Sequence, residues 1–127
     1  LPSHLHLIDM RGELIRDDVI GNKKTTFHKG LSWEELKSFP DECLDWVYID
    51  AGHDYESVLK DALEAIRVVK NEGRIVFNDY IFYSPQCEEF YGVVNVVNAF
   101  VLKKEFDIIA ASLSVTGHMD VIVKKMS

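Results

Sequence analysis

Positive charge is scarce in this chain: Lys and Arg number 14 against 21 Asp and Glu, a formal charge of -7. Such a balance argues against a broad nucleic-acid footprint or attraction to anionic membranes, and suits a small neutral or cationic ligand better. Cysteine is scarcer still. Cys43 and Cys87 have no CxxC spacing and cannot form a disulfide framework, so each is expected to be a buried free thiol in a reducing, cytoplasmic setting. No apolar run approaches a membrane span, and no basic segment followed by an apolar one suggests a secretory leader. Repeats and low-complexity tracts are absent too. What remains is 127 residues with 47% hydrophobic composition, enough for one ordinary domain over 1–127 and too little for two sizeable ones.

The patterning is that of an α/β chain. His4–Asp9 reads as a short strand, 11–20 as a short helix using Leu14, Ile15 and Val19, and Thr25–Lys29 as a second strand. Ser32 with Glu35 three residues on has the form of a capping box, predicting a helix from Ser32 to about Phe39, before Pro40. Leu44–Asp50 is the clearest strand, with Trp46, Val47, Tyr48 and Ile49 expected to be buried. Asp54 is placed to cap a helix whose Val58, Leu59, Ala62, Leu63, Ala65, Ile66 and Val69 share a face through about Lys70. Asn71 and Gly73 mark its end, and Arg74–Asp79 starts the next strand; the strand-helix-strand unit implies parallel strands and a right-handed crossover. The stretch 80–90 is irregular and could shape a pocket wall. A helix follows Gly92, then two strands, Phe106–Ala111 and Met119–Lys124, around a turn containing Gly117. The architecture expected is a mostly parallel sheet with an antiparallel C-terminal hairpin.

Two apolar strands end in acid: the first on Asp50, the second on Asn78 and Asp79. Parallel and adjacent, they would deliver all three side chains to one crevice at their C-terminal ends, where open α/β sheets bind ligands. Three oxygen donors suit Mg²⁺ or Mn²⁺, which could orient a substrate oxygen and stabilise an alkoxide or phenolate. The competing reading is that polar strand ends merely cap their loops. His53, three residues past Asp50, is suited to taking a hydroxyl proton, with loop hydrogen bonding as its alternative. Tyr55 is expected to pack beside its helix, and His28 and His118 to be solvated or structurally bonded. His4 and His6 make no zinc motif with them by spacing alone. Asp9 ends a strand where a carboxylate can hold ribose hydroxyls, or can simply serve its loop.

The segment Asp50-Ala51-Gly52-His53-Asp54-Tyr55-Glu56, with Val58 and Asp61 following, resembles the Asp-x-x-His-x-Tyr segment of class I S-adenosylmethionine-dependent methyltransferases. The closest resemblance is to methyltransferase domain family 24, small-molecule O-methyltransferases of the macrocin and cephalosporin-tailoring type. Gly73–Tyr80 resembles the family's next strand with its acidic metal-binding end, and Gly92–Val97 a later helix start. The resemblance implies a Rossmann-like sheet, S-adenosyl-L-methionine as cofactor, and metal-assisted methylation of a hydroxyl on a small molecule. It gives Asp50, Asn78 and Asp79 as metal-binding positions, with Mg²⁺ or Mn²⁺. It places Asp9, Leu31, Ser32 and Asp50 on the cofactor side, and His53 with Asp50 at the reacting centre. Asn78 stands where some relatives have an acid, which lowers the negative charge of the site. The family also implies a central strand and Gly-rich turn upstream of His4–Asp9. Neither is present in this sequence, where Gly12, Gly21 and Gly30 are isolated, and with Leu1 in place of methionine the expectation is an N-terminally truncated, partial domain.

Two other classes compete. A receiver-like signalling module would set Asp9 beside Asp50 to bind Mg²⁺ and accept a phosphoryl group, with Lys103 or Lys104 nearby. A non-catalytic methyltransferase-like fragment used in assembly, such as a homo-oligomer, is the other. No nucleic-acid or membrane partner is expected.

Overall fold

A computed structural model describes residues 2–126. The chain divides into two compact units, one running to Phe39 and one beginning at Pro40. In the first, β1 (Leu5–Asp9) pairs in parallel with β2 (Thr25–Lys29), in register from Leu5 opposite Thr25 to Asp9 opposite Lys29. The connection is not the single helix expected over 11–20. It is a 3-10 turn (Gly12–Leu14) followed by the four-residue α1 (Asp17–Ile20), because Ile15 and Arg16 adopt extended backbone between them. Leu14 is 72% exposed, so the apolar spacing that suggested a continuous helix buries little.

The helix α2 (Ser32–Leu36) starts where the sequence indicates but is capped differently. Leu31 occupies the cap position with extended backbone, its carbonyl accepting from the amides of Glu34 and Glu35, and no side chain caps the helix. Ser32 is thus the first residue inside the helix, and α2 ends at Leu36 in turns leading to Phe39. The rings of His4, His6, His28 and Phe39 stand together, with centroids 4.8–5.3 Å apart along the series.

The second unit carries the larger core. Four strands, β3 (Leu44–Ile49), β4 (Val69–Phe77), β7 (Phe106–Leu113) and β8 (Met119–Lys125), lie in the order β3-β4-β8-β7. The pair β3–β4 is parallel and the other two pairs are antiparallel. The α/β class, the parallel strand-helix-strand unit and the antiparallel C-terminal edge are therefore as expected. That reversed edge departs from the parallel sheet a receiver-like module requires.

Asp54 caps α3 (Tyr55–Val68) as its position indicates, its carboxylate accepting from the Ser57 amide at 3.0 Å. The helix stops at Val68, two residues short of expectation, because Val69 turns extended and pairs with Leu44 in β3. A bulge then spans Lys70–Gly73, with Glu72 at φ 64°, before pairing resumes at Trp46–Arg74. Buried Gly73 is required there, since a Cβ would overlap Val69.

Val58, Ala62, Ala65 and Val68 of α3, with Val93, Val96, Val97 and Phe100 of α4 (Val93–Leu102), are buried, as are Ile75, Phe77, Val121 and Val123 of the sheet. Each large apolar side chain so buried contributes about 1.5–3 kcal/mol. Trp46 and Tyr48 do not join this core, contrary to expectation. They alternate with Val47 and Ile49 along β3 and are 49% and 46% exposed on the other face of the sheet. Between β4 and α4, β5 (Tyr83–Ser84) and β6 (Glu89–Phe90) make a small hairpin from a stretch that carried no strand signal. Among the described residues no helix is long and apolar enough to cross a membrane.

Candidate functional site

The parallel pairing of β3 and β4 runs one residue past their ends, the Asn78 amide donating to the Ile49 carbonyl at 3.0 Å. Asp50 and Asp79 consequently leave the sheet at the same edge. The loop after Asp50 brings His53 back against them: its Nε2 lies 4.0 Å from Asp50 Oδ1 and 3.5 Å from Asp79 Oδ2. The Tyr91 ring stacks on the imidazole almost flat, with centroids 4.4 Å apart and planes 8° off parallel. The Gly92 amide holds the His53 carbonyl at 2.7 Å. Nε2 of His53 is buried without a hydrogen bond of its own, so the two carboxylates are its electrostatic surroundings.

Asp79 is the centre of this arrangement. It sits in the left-handed region at φ 54°, a conformation that Asp tolerates better than most residues but that still needs support. Its Oδ1 is 2.7 Å from Nδ1 of His118. Its amide donates to Asp120 Oδ1 at 3.3 Å. The result is one carboxylate, 14% exposed, between two imidazoles.

A second network lies beside it. Asn78 Nδ2 donates to Asp120 Oδ1 at 2.9 Å and to the Tyr48 hydroxyl at 3.3 Å, while that hydroxyl donates to Asp120 Oδ2 at 3.1 Å. Partial burial, then the Asp120 charge, raises the Tyr48 phenol above its ordinary value. Tyr80 fixes the next position, donating from its amide to the Met119 carbonyl and from its hydroxyl to Asn98 of α4, each at 2.6 Å.

The sequence brings Asp50, His53, Asn78 and Asp79 together as anticipated, but not as a set of oxygen ligands. Both Asp79 oxygens face imidazole nitrogens, and the Asn78 amide nitrogen is bound to Asp120. Among the described residues no group of three His, Cys, Asp or Glu side chains is arranged to hold a metal ion. Asp79, with both oxygens turned to imidazoles, would have to give up a histidine contact before it could ligate a hard divalent cation.

Of the four cofactor-side residues, Asp9, Leu31 and Ser32 belong to the first unit and Asp50, just after β3, to the second. Asp9 closes β1 at its C-terminal end, exposed, with Oδ1 accepting from the Arg11 amide at 2.5 Å. That bond serves its own loop and engages one of the two carboxylate oxygens. Leu31 is 40% exposed at the start of α2 and Ser32 is half-buried. Tyr55, the first residue of α3, is 50% exposed. Cys87 is a free thiol, as expected, but exposed; its sulfur accepts from the Tyr91 hydroxyl at 3.4 Å.

Four residues of the site escaped the sequence reading in this role: Tyr48, Tyr91, His118 and Asp120. The signal for two of them exists. His118 and Asp120 are polar positions two apart, on either side of Met119 and just ahead of the apolar run Val121–Val123, and so point to one face.

Comparison with known proteins agrees with the fold. The family model for the methyltransferase domain, family 24, matches residues 3–80. A S-adenosylmethionine-dependent methyltransferase from Methanosarcina mazei superposes with a TM-score of 0.67 at 13% identity, covering 98% of this chain and 83% of that one. A protein from Sulfolobus solfataricus, provisionally described as a type 11 methyltransferase, gives 0.65 at 15% identity, with coverage of 98% and 72%. One from Clostridium thermocellum, provisionally described as an rRNA methylase, gives 0.64 at 16%, with coverage of 98% and 73%. No curated protein sequence matches the chain. At such identities the likeness establishes a Rossmann-like methyltransferase fold with mixed parallel and antiparallel strands, and nothing finer.

Proposed function

The chain belongs to methyltransferase domain family 24, and on that premise we propose that it methylates a hydroxyl group of a small molecule, with His53 as the base. The observation that carries this reading is the placing of His53 against Asp79 and Asp50 at the ends of two adjacent parallel strands. S-adenosylmethionine, when bound, supplies a methyl group on a sulfonium, and Asp9, Leu31 and Ser32 are the residues proposed to hold it. The rest of the chemistry falls to the chain. With two carboxylates facing Nε2, the neutral imidazole keeps its proton on that nitrogen and presents the Nδ1 lone pair. No hydrogen bond described for His53 engages Nδ1. Nδ1 takes the proton of the acceptor hydroxyl as the oxygen becomes nucleophilic. The imidazolium that forms is stabilised by Asp79, itself held by His118, in the way a carboxylate orients and supports a catalytic histidine elsewhere. The Tyr91 ring keeps the imidazole plane fixed throughout.

The test is calorimetric titration of S-adenosylmethionine into the protein with and without Mg²⁺, followed by a methyl-transfer assay on hydroxylated acceptors. Binding is expected without added metal. His53→Ala should leave it intact while lowering transfer by about 10²–10⁴-fold, the usual contribution of a positioned base. Failure to bind S-adenosylmethionine would sink the assignment. A strict need for Mg²⁺ would restore a metal-assisted step in which Asp50, Asn78 and Asp79 rearrange around the ion.

A further inference from the structure

The hairpin that follows Asp79 exposes three aromatic rings that its own fold does not need. Phe82, Tyr83 and Phe90 are 57%, 43% and 70% exposed. They nonetheless form one cluster, Phe82 edge-on to Phe90 at 5.5 Å and Tyr83 tilted against it at 5.1 Å. Other contacts hold the hairpin. Ser84 is fully buried with its hydroxyl accepting from the Cys87 amide, β5 and β6 pair along the backbone, and the Tyr91 amide donates to the Phe82 carbonyl at 3.0 Å. Rings left in water at the cost of their hydrophobic area, and already set edge to face, are a surface prepared for another ring.

Two further facts say which ring. The cluster adjoins the proposed reacting centre along the backbone: Phe90 precedes Tyr91, the Tyr91 amide donates to the Phe82 carbonyl, and Tyr91 is the residue stacked on His53. The segments that frame the site, 50–57 and 78–92, contain no Lys or Arg at all, while they carry Asp50, Asp54, Glu56, Asp79, Glu88 and Glu89. An anionic group brought there would meet carboxylates with no cation from either segment to offset them. A neutral ring loses nothing, and a cationic one gains from both the acids and the aromatic faces.

We propose that the β5–β6 hairpin is the acceptor-binding wall and that the acceptor is a neutral or cationic aromatic hydroxyl compound, a phenol in its simplest form. For the reaction at that hydroxyl this rests on the methyl-transfer reading above; the binding of the ring does not. Phosphorylated and carboxylated acceptors are poor ligands on this account, and nucleic acid with them.

The experiment uses p-cresol, phenyl phosphate and methyl glucoside as probes, with affinities taken from amide NMR shifts on the full chain and on a Phe82→Ala/Phe90→Ala variant. Expected are shifts centred on 82–91 with p-cresol, and affinity for it about 10-fold or more above the other two probes. The variant should lose about 10-fold in p-cresol affinity, the equivalent of one or two aromatic contacts, with its S-adenosylmethionine binding unchanged. Phe90→Tyr, which keeps the ring, should retain p-cresol. The proposal falls if the variant binds p-cresol undiminished, if phenyl phosphate or methyl glucoside binds as well, or if removing the rings changes only self-association. A failed methyltransferase assignment looks different: the unaltered protein does not bind S-adenosylmethionine, whatever p-cresol does.

Discussion

Asp120 supports Asp79 without touching the reacting group. It receives the Asp79 amide, the Asn78 side chain and the Tyr48 hydroxyl on two oxygens, which holds the strand end in the left-handed turn that aims Asp79 at His53. Removing its charge should therefore be read on Tyr48. With its folded value raised above 10, Tyr48 favours the native state fully below pH 10, and that contribution is lost as pH rises through the raised value. Asp120→Asn removes the main neighbouring charge, so Tyr48 should ionise at lower pH and the alkaline loss of stability traceable to it should shrink. Tyrosine absorbance titration, compared with Tyr48→Phe to identify the transition, checks this. An unmoved transition in Asp120→Asn would show that Asp120 does not raise Tyr48. Tyr91 is also raised, chiefly by its bond to Cys87, and serves as an internal control because Asp120 is not among its causes.

Among the elements, the junction between the hairpin and α4 is the one most tightly constrained. Gly92 precedes α4 with its α-carbon facing the backbone of Tyr55, and a Cβ there would overlap the Tyr55 amide and α-carbon. The same residue donates to the His53 carbonyl, so the close approach ties the start of α4 to the loop that carries the proposed base. Gly92→Ala cannot be relieved by a side-chain rotation, since backbone is in the way. It should cost about 1–3 kcal/mol, as overpacking in a filled interior does. Thermal unfolding should show a fall of several degrees. The His53 ring should also lose its stacked geometry on Tyr91, visible as a change in ring-current shift of the imidazole protons. A variant with unaltered stability and unaltered imidazole shifts would contradict this close approach of Gly92 to Tyr55. Tyr91→Phe is the companion measurement, because it keeps the stacked ring while removing only the hydroxyl held by Cys87.

Across the whole molecule, what the sequence made legible was what is local. The apolar face of α3, the Asp54 cap and the acidic ends of β3 and β4 each follow from residues within a few positions of one another. His118 and Asp120 were missed as partners because they lie 39 and 42 residues from Asp79 and Asn78, and only the antiparallel register setting Phe77 opposite Val121 brings them there. The exposure of Trp46 and Tyr48 was hidden for a related reason: residue type favours burial, but sheet coverage decides it, and α3 and α4 cover the face carrying Ile75, Phe77, Val121 and Val123. That uneven distribution of core has a consequence for stability. Among the described residues up to Phe39, only Leu36 and Phe39 count among the buried apolar side chains, and β1–β2 is a two-stranded sheet, a form with little independent stability. From residue 40 on, two helices and four strands share a continuous set of fully buried side chains. Opening free energies within one protein range from near zero to the global value, and the best-buried strands occupy the upper end. Hydrogen exchange followed by mass spectrometry should find the amides of 47–49, 75–77 and 121–123 the slowest to exchange, and those of Leu5–Asp9 and Thr25–Lys29 faster by at least about one order of magnitude, or ~1.4 kcal/mol in opening free energy. Equal protection in both sets would mean that the two units open as a single cooperative body, and S-adenosylmethionine, held on this reading by Asp9, Leu31 and Ser32, should slow exchange in β1 and β2 first.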